Sequence, residues 1–254
     1  MTSCAWRLVC LLTVAIATGA ATLPLVQSSP GTPSGLHFKA VLVAGDWSSP
    51  AFDHATEAMR EQLLGHQVAS EDIQALSSAH GVIAQNGVRS ASLEHVLAAI
   101  EGLHPAAGEG CFVFATSHGG YHEGLVLAPS ENFLTPAELD HALTIGCGDA
   151  PTVIIISGCF SGTFTKSPMA RENRIVLTAA REDRPSFGCG AGSQYTFYDR
   201  CLLRAMDRAA NWRAAYDNIR SCVSAKESSL RFRPSEPQAW FGDAVSKLPL
   251  PGRS

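Results

Sequence analysis

Four short, nearly uninterrupted apolar runs, each closed by a small or polar turn, constrain this chain more than any other feature. They are Phe38–Ala44 (FKAVLVA), Cys111–Thr116 (CFVFAT), Thr152–Ile156 (TVIII) and Arg174–Ala179 (RIVLTA). A strand covered on both faces reads as continuous hydrophobicity rather than as alternation, so such runs imply a parallel sheet with helices on either side. The intervening segments supply the helices. Phe52, Ala55, Met59 and Leu63 share one side of a helical stretch, and Leu93, Val96, Leu97 and Ile100 repeat at i, i+3, i+4, i+7 within Ser92–Leu103. Thr135-Pro136-Ala137-Glu138 combines a cap, a first-turn proline and a capping-box glutamate, opening a helix to about Gly146. Cys201 through Ala225 reads as helical with a break near Ala210-Asn211, and Ala239-Trp240-Phe241 as an edge strand. The expectation is a single α/β domain, its sheet mostly parallel with helices on both faces.

With 254 residues, 46% hydrophobic and 17% charged, the chain can bury a substantial core. Net charge is −4, and no run of Lys or Arg exceeds two, which excludes nucleic-acid binding by phosphate neutralisation and a polybasic membrane surface. Arg7, the apolar stretch Leu8–Ala17 and the small residues Thr18-Gly19-Ala20-Ala21 make a secretory leader, cut after Ala20 or Ala21. An uncleaved membrane anchor over Leu8–Val26 is the alternative. Loss of the leader takes the net charge to −5 and leaves six of eight cysteines, in a periplasmic or extracellular compartment that permits disulfides. The expected organisation is leader 1–21, a flexible Ser/Pro/Gly tether 22–36, a folded domain 37–230 and a Pro-rich tail 231–254.

In an open parallel sheet, function collects beyond the carboxyl ends of the strands. The second run is followed by Ser117-His118-Gly119-Gly120 and the third by Ser157-Gly158-Cys159-Phe160-Ser161-Gly162. A histidine and a cysteine therefore each sit in a Gly-flanked turn at a strand end. That suits a thiolate nucleophile, an imidazole that accepts and returns its proton, and backbone N–H groups free to approach an oxyanion. A metal site of His118, His122 and Cys159 competes, but HExxH is absent and Gly119-Gly120 disfavours a helix presenting both imidazoles. No GxSxG, P-loop or GxGxxG appears.

These residues resemble a known family. FVFATSHG at Phe112–Gly119, and the Ile-rich strand leading into SGCFSG at Ser157–Gly162, look like the legumain-type cysteine peptidases, a caspase-like fold that includes asparaginyl endopeptidases and a GPI transamidase subunit. The resemblance extends from about Phe38 to Met206, including Leu177-Thr178-Ala179-Ala180 before Ser186-Phe187-Gly188-Cys189. It implies a Cys–His dyad: Cys159 as nucleophile, His118 as base and then acid, and the N–H groups of Gly119 and Cys159 as oxyanion donors. It implies peptide or protein substrates, and no metal or organic cofactor. The residue before the scissile bond would be read at Asp53, His54, Ser157 and Asp199. Asp53 stands where the family has Arg, which makes the pocket more acidic and points to basic or neutral polar side chains. Ser117 stands in place of the family's Asp before the histidine, and Ala51 in place of an Asn that orients it.

Several residues carry plainer readings. Asp53 and His54 suit a helix start and a surface position, and Asp199 suits an N-cap for the helix from Cys201. Asp183 and Glu182 read as solvated turn residues, and Tyr195, Phe197 and Tyr198 as packing. Beyond Cys159, the mature cysteines Cys111, Cys147, Cys189, Cys201 and Cys222 allow two disulfides and one spare thiol, with the pairing open. Cys189 is the fallback nucleophile. A transamidase or peptide ligase would use the same dyad, whereas a catalytically inactive, disulfide-stapled envelope protein would keep only the fold. Rapid alkylation of Cys159 separates the last reading from the others. Oligomeric state leaves no mark on the sequence.

Overall fold

The computed structural model describes Met1 and residues 36–253 except Gly87 and Ala191; the leader and nearly all of the tether lie outside these residues. The chain runs β1 (His37–Ala44), α1 (Pro50–Gly65), β2 (Ile73–Ser77), α2 (His80–Asn86), β3 (Arg89–Ser90), α3 (Leu93–Glu101) and β4 (Glu109–Thr116). A small meander follows, β5 (Gly119–Gly120), β6 (Gly124–Leu127) and β7 (Asn132–Leu134). Then come α4 (Pro136–Gly146), β8 (Thr152–Ser157), β9 (Arg174–Thr178), α5 (Phe197–Met206), α6 (Trp212–Ser229) and β10 (Gln238–Phe241).

The main sheet has the order β10-β9-β8-β4-β1-β2-β3, parallel throughout except for β10, which runs antiparallel to β9 at the edge. The four apolar runs are the four strands β1, β4, β8 and β9, which are covered on both sides along nearly their whole length. Residues alternate between two cores. Phe38, Ala40, Leu42, Phe112, Phe114, Val153 and Ile155 face α1, α5 and α6, where Met59, Leu63, Leu202 and Trp212 meet them. Val41, Val43, Val113, Ile154, Ile156 and Val176 face α3 and α4 through Val96, Ile100, Leu139 and Leu143. Each fully buried aliphatic side chain of this kind contributes roughly 1.5–3 kcal/mol.

Local signals set the helix starts. Ser49 caps α1 with Pro50 in its first turn, and the Thr135 and Glu138 side chains close the capping box of α4 in both directions. The break expected near Ala210-Asn211 is the α5–α6 turn, where Asn211 Oδ1 accepts from the Ala214 N–H at 2.9 Å. Asp199 is not the cap of α5. Thr196 is, its hydroxyl accepting from the Asp199 N–H at 3.0 Å, which draws Asp199 into the first helical turn. Two disulfides tie the helices down: Cys111–Cys147 joins β4 to the end of α4, and Cys201–Cys222 joins α5 to α6.

Candidate active site

β4 and β8 pair in parallel register with Thr116 opposite Ser157. His118 and Cys159 each lie two residues beyond that pair, so equal overhangs set them side by side at the carboxyl edge. The ladder continues into the turns, where the Ser117 N–H donates to the Ser157 carbonyl at 3.0 Å. A Cβ at Gly119 would collide with the Cys159 carbonyl, so only glycine lets the two turns pack backbone on backbone.

His118 is held on three sides. Its Nε2 lies 3.2 Å from the Ser48 hydroxyl, its ring meets the edge of Phe52 at 5.2 Å, and its Nδ1 lies 4.0 Å from Cys189 Sγ. Sequence reasoning named neither Ser48 nor Ser186 as part of the site. Ser48 lies in the turn between β1 and α1, three residues before Ala51, and fastens the imidazole that Ala51 cannot reach.

Cys159 Sγ accepts from the Ser186 N–H at 3.3 Å and stands 3.7 Å from the Ser186 hydroxyl. Among the described residues no hydrogen bond joins it to His118, and its own N–H has no acceptor. Phe160, immediately after it, adopts a left-handed backbone (φ 59°), a conformation rare outside glycine, and is anchored by its N–H to the Arg184 carbonyl at 2.8 Å. The four remaining cysteines of the folded part form the two disulfides, leaving Cys159 and Cys189 as free thiols, both partly buried. Burial, and then the neighbouring Cys159, push the Cys189 thiol above its ordinary range.

The four expected substrate-reading residues divide into two pairs. Ser157 and Asp199 lie fully buried beneath the turns. Asp199 Oδ2 accepts from Thr116 Oγ1 at 2.9 Å, while Oδ1 has no partner. Burial raises its pKa above the usual carboxylate value, against the lowering influence of the nearby Ser157, Thr196 and Thr116 hydroxyls. Asp53 and His54 sit together on α1. Asp53 is partly buried, accepts from the Ser77 hydroxyl and titrates high because of desolvation, while His54 Nδ1 lies 3.3 Å from the Gln194 carbonyl.

The other candidates separate from the thiol. His122 packs on Tyr121 at 3.9 Å, and among the described residues no cluster of three His, Cys, Asp or Glu is arranged to hold a metal ion. Asp183 pairs with Arg181 at 2.6 Å, Glu182 pairs with Lys166, and Tyr198 is core. A cavity of about 1000 Å³ opens between α5 and α6 along Tyr195, Phe197, Arg200 and Arg204, and does not include the thiol.

Comparison with known proteins speaks to the fold and the family. No curated protein matches the chain. The structure of caspase-1 from Spodoptera frugiperda superposes with a TM-score of 0.60 at 12% identity, covering 88% of this chain and 94% of that one. At that identity the likeness speaks for the fold alone. The family description "Peptidase C13 family" matches residues 95–247, which include the His118 and Cys159 turns and the loop through Ser186 and Cys189. The chain therefore belongs to the peptidase C13, or legumain, family, and is a cysteine-type peptidase on a caspase-like fold.

Proposed function

We propose that the chain is an exported cysteine endopeptidase in which Cys159 attacks the substrate carbonyl and His118 handles the proton. The observation that carries this reading is the shared two-residue overhang of His118 and Cys159 beyond one registered strand pair. His118 takes the thiol proton as substrate settles between the turns, since catalytic hydrogen bonds tighten in the bound complex. The carbon–sulfur bond forms, and the oxyanion is met by the N–H groups of Cys159 and Gly119. Collapse expels the amine, which collects its proton from His118, leaving a thioester. Water, deprotonated by the same imidazole, then releases the acid and restores the thiol. Two disulfides suit an oxidising compartment, in keeping with the leader.

Asp53, His54, Ser157 and Asp199 would read the residue before the scissile bond. Asp53, partly buried on α1, would meet a side chain that donates hydrogen bonds, basic or neutral polar, while the fully buried Asp199 would add its charge from beneath.

The test is a fluorogenic peptide library varying only that residue, offered to the purified chain under mild reductant beside Cys159→Ala. Turnover that disappears in the variant, with Arg, Lys or Gln among the best residues, is the expected result. Cleavage confined to Asn peptides removes the acidic-pocket idea. No turnover, with Cys159 inert to iodoacetamide over about pH 5 to 9, removes the nucleophile assignment. Adding an amine acceptor to the same assay separates hydrolysis from peptide transfer.

A further inference from the structure

Two free thiols held by one loop, one of them against the His118 imidazole, have a chemistry of their own. Cys189 is not required for the dyad, yet its sulfur approaches His118 Nδ1 to 4.0 Å. It reaches there on the same loop whose Ser186 N–H contacts Cys159 Sγ at 3.3 Å. Only two residues, Phe187 and Gly188, separate those two contacts. The Cys159 turn in turn packs directly on Gly119, the neighbour of His118. Gly188 has φ +100° and Gly190 follows, and no helix or strand includes Cys189, so turning its side chain displaces no regular element. Elsewhere in the folded chain the cysteines are already joined, which marks the surroundings as oxidising enough to threaten an unprotected nucleophile.

We propose that Cys189 is a resolving thiol, which joins Cys159 in a reversible disulfide that switches the site off and shields the nucleophile from irreversible oxidation. The oxidant is a low-molecular-weight disulfide such as glutathione disulfide. The Cys159 thiolate attacks one of its sulfurs, the reagent's sulfur–sulfur bond breaks, and one thiol leaves. Cys189 then gives its proton to His118 Nδ1 and attacks the Cys159 sulfur of the mixed disulfide. The Cys159–Cys189 bond forms, and the second reagent thiol departs with that proton. Two protein thiols are oxidised and one small disulfide is reduced to two thiols. A dithiol reductant reverses the sequence. Formation of the bond requires only the two cysteines, whereas its effect on turnover rests on Cys159 being the nucleophile.

The test uses the full chain treated with glutathione disulfide, quenched with N-ethylmaleimide, and read by intact mass and tryptic mapping. No Lys or Arg lies between Ser90 and Lys166, and Arg184 precedes a proline, so Cys159 and Cys189 fall in separate tryptic peptides, 90–166 and 182–200. The expected result is loss of both alkylation sites without a retained glutathione adduct, the two peptides linked, and full recovery with dithiothreitol. Cys189→Ser is expected to stop at the glutathione adduct on Cys159. A wild-type chain that keeps that adduct while Cys189 remains alkylatable overturns the proposal. So does a Cys189→Ser chain that still sheds the adduct unaided. If the variant does not fold, the wild-type peptide map decides alone. Because masses rather than rates are read, a linked chain without peptidase activity upholds the disulfide and refutes only the catalytic reading.

Discussion

Near its start, β4 carries Cys111, covalently bound to Cys147 at the end of α4. At its last residue, Thr116, the same strand offers its hydroxyl to a carboxylate with one oxygen unsatisfied. β9 shows a similar contrast. Its first residue, Arg174, is 1% exposed and pairs with Asp140 at 2.7 Å, with Arg171 on the other oxygen of that carboxylate at 2.7 Å. Beyond its far end the chain enters the loop that reaches both free thiols. At the amino edge of the sheet, charge and sulfur are fully partnered. At the carboxyl edge lie an orphan oxygen, two unpaired thiols and a left-handed phenylalanine. One edge holds the strands, and the other keeps groups in states useful for chemistry, at some cost in stability.

Removing Asp140 gives the largest effect expected in probing this contrast. Burial works against its charge, but the two guanidiniums outweigh it and hold the carboxyl below its usual range. Asp140→Ala strands Arg174 in the core and is expected to cost about 3–5 kcal/mol in urea unfolding, with turnover per folded molecule unchanged. Replacing Cys111 and Cys147 together by alanine opens a loop spanning 36 positions and is expected to cost about 4 kcal/mol on the chain-entropy account.

At the other edge the sign reverses. Burial raises the Asp199 pKa, so the folded state favours the protonated form. Its stabilising contribution is present below the unfolded value near 3.8 and is lost as pH rises through the folded pKa. Asp199→Asn is therefore expected to gain stability relative to the native chain as pH rises from acid to neutral, read as urea midpoints. A loss comparable to that of Asp140→Ala would erase the distinction between the edges. Ser48→Ala, the smallest of these changes, removes one hydrogen bond to His118 and should lower kcat/KM by about fivefold while leaving the melting temperature in place. A fall in melting temperature with unchanged kcat/KM would move Ser48 to the scaffold.

The central sheet was legible because β1, β4, β8 and β9 are buried on both faces, and burial of that kind leaves an unbroken apolar run. β2 was not, since Ile73-Gln74-Ala75-Leu76-Ser77 mixes polar and apolar residues near the sheet edge, and β3 and β5 have only two residues each. The cap of α5 carries a local signal in the sequence. Thr196-Phe197-Tyr198-Asp199 places an acidic residue three after a threonine, the spacing of a capping pair. The strand-end positions of His118 and Cys159 could be inferred from the chain alone. Their surroundings could not, because Ser48 and Cys189 reach His118 across 70 and 71 positions of sequence. Such contacts depend on how loops fold over the sheet edge, and no local periodicity records them.

The matched overhang of the two turns bears on how such a chain can change over evolutionary time. Helices on the outside can lengthen, shift or exchange residues without moving His118 relative to Cys159, since both positions are counted from the Thr116–Ser157 rung. A single inserted or deleted residue within β4 or β8 would slide one turn by about 3.3 Å and reverse which face its side chains address. Substitutions should therefore accumulate freely across relatives in these two strands, provided they stay apolar, while changes in strand length should be purged. The sheet serves as a ruler, and its graduations are inherited more strictly than its letters.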